Sequence, residues 1–388
     1  MHFYFNALAA SAGSGLTYVR NVAQVLARRN DLRATFLLQP ELRREMGRYP
    51  NIVFEEAPDS QSAARRFLWE QSNVPKLILR AKANVLVSAG NFALRKSPVP
   101  QILLSGNSLY TSQSFRRDLL ARREYRLWAD NAIKSSFAAR SVQWADRTVA
   151  PSEAFAGELR QWTGSRKVVA IHHGFDPDFF FADETPLPRG IQDALDATQG
   201  CLRLLFVSHY NYFRNFETLF RGLKKIREML PQRNTKLLLT TRLRFEENPG
   251  ASRPEAAAAL VRELGLNEHV LELGAVPYCH LHKLYRACDM YVTAAYAETF
   301  AHPLVEAMAC GVPIVASDLP AHQEVAGDAA VYFPHTSDKD FCARVLEVDG
   351  ASELTQMLSR NGLKRSADLS WEKHLESLVR LARSLLPA

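Results

Sequence analysis

The sequence predicts an α/β protein with two Rossmann-like, doubly wound domains facing a central cleft. Three observations lead to this fold. The chain has 388 residues, too many for one ordinary core and enough for two domains of roughly 180–200 residues each. Short apolar runs alternate with amphipathic stretches, the pattern of a mostly parallel sheet covered by helices. That alternation pauses at a Pro-containing polar stretch, Ala182–Gly200, and then begins again.

The elements follow in order. Met1–Asn6 has the composition of a strand. The Gly-rich turn Ala12-Gly13-Ser14-Gly15 leads into an amphipathic helix over Leu16–Arg29. Ala34–Leu38, Asn51–Glu55, Asn84–Ser88 and Gln101–Ser105 are strands. A long helical region covers Phe115–Ala145, and Thr148–Ala150 and Val168–Ile171 are short strands. Residues 1–180 form the first domain. After the linker, Leu202–Ser208, Lys236–Thr240, Val270–Leu273, Met290–Thr293, Val312–Ala316 and Ala330–Phe333 are strands. Helices fit Asn215–Leu230, Arg253–Leu264, Cys279–Arg286, Pro303–Ala309 and Pro320–Val325, and the Glu353–Leu386 region is helical. Residues 181–365 form the second domain, and the closing helix, 366–388, is expected to pack back toward the first. Two doubly wound units place a ligand at the carboxyl ends of their strands.

Composition narrows the function classes. Hydrophobic content of 47% and charged content of 23% are those of a globular protein in water. The apolar start is too short for a signal peptide or anchor, and no stretch is long and apolar enough to span a bilayer. The five cysteines, Cys201, Cys279, Cys288, Cys310 and Cys342, fit buried thiols in a reducing cytosol. Cys279, His280, His282 and Cys288 match no standard zinc spacing, so no metal is expected. Residues 1–180 hold 25 Lys+Arg against 15 Asp+Glu, whereas residues 181–388 hold 23 against 26. The densest basic run is Arg116, Arg117, Arg122, Arg123 and Arg126. It is either a solvated helix face or a contact for anionic lipid or an anionic acceptor, peripheral on the inner face of a membrane. No nucleic-acid motif accompanies it.

The chemistry concentrates in Glu298-Thr-Phe-Ala-His-Pro-Leu-Val-Glu306, which continues as Ala-Met-Ala-Cys-Gly-Val-Pro-Ile-Val-Ala-Ser317. A loop carries one carboxylate, a helix starts near Pro303, and a second carboxylate lies on that helix. Proline suits the first helical turn, where no N–H is needed. The N–H groups of Thr299, Phe300 and Ala301, with the helix dipole, suit a diphosphate. Glu306 can accept two ribose hydroxyls and Glu298 the hydroxyls of a sugar.

This segment resembles the donor-binding element of retaining glycosyltransferases of family four, which have the GT-B fold. Other segments agree in order. They are Gly13-Ser-Gly15, Ala150-Pro-Ser-Glu153, Ile171-His-His-Gly-Phe-Asp-Pro-Asp-Phe-Phe180, the Leu205–Asn215 strand and loop, Leu273-Gly-Ala-Val276, and Glu324–Phe333. The resemblance implies transfer of a glycosyl group from a UDP-, GDP- or dTDP-linked sugar to a carbohydrate or lipid-linked acceptor, with retention and with no cofactor beyond the nucleotide sugar. The expected pathway is polysaccharide or glycolipid synthesis. The family's diphosphate-clamping Arg and Lys are here His209 and Arg214. Its N-terminal histidine is replaced by Ser105-Gly-Asn-Ser108, with Asn107 as the hydrogen bonder. Gly15 permits close approach to donor phosphate or acceptor, and the backbone near Val276 is expected to read the base. Glu298, Arg214 and Asn107 are thus the candidate catalytic group. Asp176-Pro-Asp178 is taken as structural. Two other readings stay open: a nucleotide-sugar epimerase of the same fold, and a non-catalytic carbohydrate-binding descendant.

Overall fold

The computed structural model describes residues 1–10, 14–57, 62–248 and 252–387. Ala12 and Gly13 of the Gly-rich turn lie outside them. The chain forms two compact units: Met1–Thr111 with Trp128–Gly174 and Leu369–Ala388, and Ser112–Leu127 with Phe175–Asp368.

In the first unit, seven strands form one parallel sheet. They are β1 (His2–Asn6), β2 (Arg33–Leu38), β3 (Ile52–Glu56), β4 (Val85–Ala89), β5 (Gln101–Leu104), β6 (Arg147–Ala150) and β7 (Val168–Ala170). Their order is β3-β2-β1-β4-β5-β6-β7. The chain reverses its winding between β1 and β4, the switch point at which such sheets open a crevice. Central strands of a covered parallel sheet are apolar on both faces, and β1 shows why its sequence is continuous. Phe3 and Phe5 enter the core beneath the Ser14–Ala27 helix, while Tyr4 enters a second core with Val74 and Ile78 on the other face. Phe5 stacks on Phe36 with ring centroids 4.4 Å apart.

The C-terminal helix Trp371–Arg383 completes the first of these cores with Trp371, Leu375, Leu378, Val379 and Ala382. His374 locks it in place. Its Nδ1 donates to the His172 carbonyl at 2.8 Å, which leaves Nε2 to accept from the Tyr18 hydroxyl at 3.1 Å. Burial pushes this imidazole down to about 4, so it sits there uncharged. His173 stacks on Trp371, and the His172 carbonyl anchors the helix through His374.

The second unit has six parallel strands: β8 (Leu202–Phe206), β9 (Thr235–Leu239), β10 (Val270–Glu272), β11 (Met290–Thr293), β12 (Ile314–Ser317) and β13 (Ala330–Phe333). Their order, β10-β9-β8-β11-β12-β13, puts its switch point between β8 and β11. Asp176 caps the short Pro177–Phe180 helix by accepting from the Phe179 N–H at 3.1 Å.

The structure departs from the expected elements in several places, among them a helix over Asp338–Gly350 that the apolar pattern does not show. The Phe115–Ala145 region is two helices, Gln113–Ala121 and Tyr125–Trp144. Arg123 is left-handed at φ 60. Its N–H bonds the Leu120 carbonyl and the Glu124 N–H bonds that of Leu119, the paired pattern of a Schellman stop. The same break marks where Ser112–Leu127 joins the second unit, although the sequence reading placed all of 1–180 in the first domain. A 19-residue helix over Ala63–Ala81 had no counterpart in the sequence reading, because Pro75 lies inside it. The Ser62 hydroxyl caps its start by accepting from the Arg65 N–H at 3.2 Å. Burial of Val74 and Ile78 against the sheet outweighs the lost backbone bond at the proline. The Ala150-Pro-Ser-Glu153 segment likewise opens a helix, Glu153–Thr163, capped by Ser152.

The docking of the C-terminal helix depends on one glycine. A Cβ on Gly174 would strike the backbone nitrogen and Cα of Trp371, neither of which can rotate away. Gly174→Ala is expected to cost roughly 3 kcal/mol or more, by the cost of overpacking a rigid contact. Urea unfolding of the two proteins checks this, and Gly164→Ala, with nothing near its Cβ but a left-handed φ of 68, should cost less.

Candidate functional site

The second unit gathers its candidate residues at the carboxyl ends of β8 and β11. After β8, the chain passes His209 and a 3-10 turn over Tyr212–Arg214 before the Phe216–Met229 helix. After β11 it runs through Glu298 to the His302–Ala309 helix. Three bonds join the two loops. Asn215, left-handed at φ 56, donates its amide to the Ala294 carbonyl at 3.0 Å and to that of His335 at 2.7 Å. The Tyr296 N–H donates to the Phe213 carbonyl at 3.0 Å. Arg214 Nη1 donates to Glu298 Oε2 at 2.5 Å.

The remaining Glu298 oxygen accepts from the Thr299 N–H at 2.9 Å. Burial opposes ionisation of Glu298, but the Arg214 charge and the Thr299 N–H outweigh it and hold the carboxyl below its ordinary value. The Thr299 N–H therefore serves Glu298 in this state. Arg214 lies over the Phe213 ring at 4.7 Å, and its Nε is buried without a hydrogen-bond partner. A buried unpaired donor on a permanent cation is costly unless something supplies an acceptor. Any anion seated here meets that donor.

His322 belongs to the same cluster and gave no signal in the sequence. Its Nδ1 donates to the Ser317 carbonyl at 3.0 Å, and the Ser317 hydroxyl donates to the Ala295 carbonyl at 2.6 Å. Its Nε2 is buried and unpaired. Burial holds the ring pKa down, against the pull of the Glu298 charge.

Glu306 points from its helix toward buried Tyr285 and half-buried Tyr278. The Tyr285 hydroxyl donates to Oε2 at 3.0 Å, and Tyr278 also hydrogen-bonds the carboxylate. Burial nevertheless raises the group to about 7. Phe300 is buried against His302. Ala301 is left-handed at φ 62 and ψ 69, a conformation that costs an alanine roughly 1–2 kcal/mol. Such strain persists where surrounding contacts fix the chain, often beside a functional site. His209 is exposed to solvent on one side. Crowding by protein atoms and the nearby Arg214 charge push it down to about 4, so at neutral pH it offers a hydrogen bond and no charge. Val276 is half-buried in the loop after β10.

The first unit holds Gly15 and Asn107 together. Both line a cavity of about 290 Å³, with Ser105, Tyr18, Asn91 and Gly90. Asn107 Oδ1 accepts from the Leu109 N–H at 3.0 Å and so shapes the turn over Ser108–Tyr110. A Cβ on Gly15 would press on Ala10, which explains the glycine by close backbone packing.

The basic run does not form one face. Arg122 is drawn into the second unit, bonding Asp118 and Glu217 at 2.9 Å each and lying over the Tyr212 ring. Arg116 is half-buried, while Arg117, Arg123 and Arg126 are exposed. Cys279 and His280 meet Asp183, not Cys288. Lys283 Nζ stands 3.9 Å from the same Asp183, and this cation competes with any metal.

Glu306 generates a pH prediction. Its folded value, about 7, lies above the ordinary 4.5. Between those pH values the folded chain holds a proton that the unfolded chain has released, so this contribution to stability falls as pH rises. Glu306→Gln has no such term. The variant's unfolding free energy relative to wild type should therefore rise between pH 4.5 and 7 by on the order of 3 kcal/mol and level off above. Urea unfolding across that range checks it. A difference independent of pH would contradict the assignment.

Comparison with known proteins follows from this geometry. The family model Glycosyltransferase Family 4 matches residues 16–179, and Glycosyl transferases group 1 matches residues 195–365. A D-inositol 3-phosphate glycosyltransferase of Segniliparus rotundus is 24% identical over 249 residues, 63% of this chain and 54% of that protein. The O-antigen chain mannosyltransferase B of Escherichia coli is 33% identical over 100 residues, 26% of each chain. The chain spans about half the length, or less, of the curated relatives it matches. Among solved structures, a sucrose-phosphate synthase from Thermosynechococcus elongatus aligns over 99% of both chains at 17% identity with a TM-score of 0.76. The Anabaena protein HepE in complex with UDP-glucose aligns over 99% of this chain and 100% of its own, at 15% identity with a TM-score of 0.74. With the two family models matching in order along the chain and these solved structures sharing its fold, the chain belongs to the group 1 and family 4 glycosyltransferases of the GT-B fold.

Proposed function

We propose that this glycosyltransferase moves a sugar from a nucleoside-diphosphate sugar to an acceptor hydroxyl with retention of anomeric configuration, in polysaccharide or glycolipid synthesis. The observation that carries the reading is the Arg214–Glu298 pair at the switch point of the second sheet, with Arg214 Nε buried and unpaired. A diphosphate supplies the acceptor that Nε lacks, and the N-terminus of the His302–Ala309 helix adds favourable dipole. The likeness to a structure that holds UDP-glucose supports the donor class.

The chemistry then divides among named groups. The barrier is charge separation between an oxocarbenium-like sugar and the departing diphosphate, so stabilising the leaving group matters most. Arg214 supplies that stabilisation as a fixed cation and needs no metal beside it. Glu298, ionised by the same arginine, accepts hydroxyls of the sugar and orients it. Glu306 accepts the ribose hydroxyls. His209 contributes a neutral hydrogen bond near the phosphates. The leaving phosphate itself takes the acceptor proton in a front-face attack, so neither glutamate acts as a general base. That distinguishes the pair from the acid and base carboxylates of glycosidases. Asn107 and Gly15 line the acceptor's chamber. The exposed Arg117, Arg123 and Arg126 suit an anionic membrane surface where a lipid-linked acceptor would lie.

Two measurements test this. Arg214→Ala should weaken binding of the preferred nucleotide sugar, chosen from UDP-, GDP- and dTDP-linked donors, by tenfold or more, as loss of a charged hydrogen bond to phosphate requires. Glu306→Ala should weaken it several-fold, and unchanged affinity in both variants would remove the site. NMR of the transfer product should show the donor's anomeric configuration, and inversion would exclude front-face attack.

A further inference from the structure

The first unit has a second cavity, larger than the one lined by Gly15 and Asn107 and more apolar. Its volume is about 460 Å³, within the usual range for small-molecule sites. Ala9, Ala89 and Gly90 line both cavities, so the two are neighbours at the carboxyl ends of β1 and β4. Gly90 is left-handed at φ 145, and a Cβ on it would collide with that of Ala9. The shared wall is therefore as thin as a backbone allows.

The larger cavity lies between the Ala63–Ala81 and Tyr125–Trp144 helices. Phe67, Phe92, Leu68, Ile133 and Phe137 form its sides. Ile133 and Phe137 stand one helical turn apart, so they share a face. Leu68, Ile133 and Phe137 are 66%, 61% and 37% exposed. Single exposed apolar residues mean little, but three converging on one cavity mark a ligand surface. The polar element of the lining is equally specific. Asn6 is 5% exposed, its amide donates to Glu70 Oε2 at 3.2 Å, and its Oδ1 is buried without a partner. Glu70 in turn pairs with Arg66 at 3.4 Å. Asp130 and Lys134 also line it, paired with each other at 2.7 Å, so the one unpaired carbonyl beside aromatic and aliphatic walls fits a ligand with a single hydrogen-bond donor next to a hydrocarbon segment.

We propose that the acceptor is amphipathic: its hydroxyl-bearing head occupies the Gly15–Asn107 chamber, and its hydrocarbon chain, acyl or isoprenoid, runs past Asn6 into the cavity of Phe67, Ile133 and Phe137. The inference rests on the transferase reading and narrows its acceptor class. A free sugar in the larger cavity would set most of its hydroxyls against Phe67, Phe92, Ile133 and Phe137, where they find no partner. A hydrocarbon chain meets no such cost and gains from burial.

The probes are glucose and n-hexyl, n-octyl and n-decyl β-D-glucoside, each below its micelle concentration, titrated calorimetrically into the full chain. Affinity should rise by about two- to fourfold per added methylene, the gain expected on burying one, and level off once the chain outgrows the cavity. Ile133→Asp and Phe137→Asp should abolish that rise. Both positions are at least one-third exposed, so the variants are expected to fold. Leu79→Asp, on the same Ala63–Ala81 helix, 62% exposed and not lining the cavity, should bind like wild type. Affinity independent of chain length, or a rise that survives in both cavity variants, overturns the proposal. Binding of UDP, GDP and dTDP by the same proteins is read separately. Nucleotide binding alongside a flat glucoside series sinks this inference alone. Failure of every nucleotide to bind wild type falls on the transferase reading, while the glucoside series still decides what the cavity holds.

Discussion

The donor half of the molecule depends on the joining of two loops that leave adjacent strands 84 residues apart in sequence, completed by the Arg214–Glu298 ion pair. Asn215 and Tyr296 supply the backbone part of that joining. The ion pair supplies the chemistry. Taken alone, a buried ion pair is poor evidence of stabilisation, because desolvation of both partners offsets most of the Coulomb attraction. Here its value is positional. It holds an arginine oriented and only partly satisfied, and it favours the charged form of a carboxylate that burial opposes.

Around this pair the other groups fall into graded roles. Glu306 stands apart from Arg214 in character. It has tyrosine hydroxyls for neighbours in place of a cation, which is why burial raises it to about 7 while Glu298 is lowered. Two glutamates eight positions apart thus sit in opposite electrostatic settings. Neither setting makes an acid–base couple, since Glu298 is already committed to Arg214. His322, Ser317 and the Ala295 carbonyl form a third connection, tying the strand after the Glu306 helix back to the loop that carries Glu298.

The central strands were legible in the sequence because they are buried on two faces, so runs such as Phe3–Phe5, Val85–Val87 and Ile314–Ala316 are continuously apolar and need no partner to be recognised. Helices were less legible where one residue broke the pattern. Pro75 hid a 19-residue helix, and the left-handed Arg123 that splits Phe115–Ala145 is an arginine, a residue that gives no turn signal. Within the site, Glu298 and Glu306 stand out in one segment by their spacing, and Arg214 in a separate segment by resemblance to the family's diphosphate clamp. Their pairing was not, because a hydrogen bond across two crossover connections leaves no local trace. The same holds for His322 and for the tyrosine surroundings of Glu306. The strain at Ala301 was invisible for a different reason: alanine is the residue that signals an ordinary helix.

The central claim is that Arg214 exchanges or shares its Glu298 partner with a diphosphate. A double-mutant cycle on binding of the free nucleoside diphosphate, with Arg214→Gln, Glu298→Gln and both together, tests it directly. Glu298→Gln removes the competing carboxylate but no phosphate contact, so nucleotide affinity should hold or rise. Arg214→Gln should lose tenfold or more, and the double variant should match Arg214→Gln. A Glu298→Gln variant that loses as much as Arg214→Gln, or an Arg214→Gln variant that binds like wild type, would contradict the account.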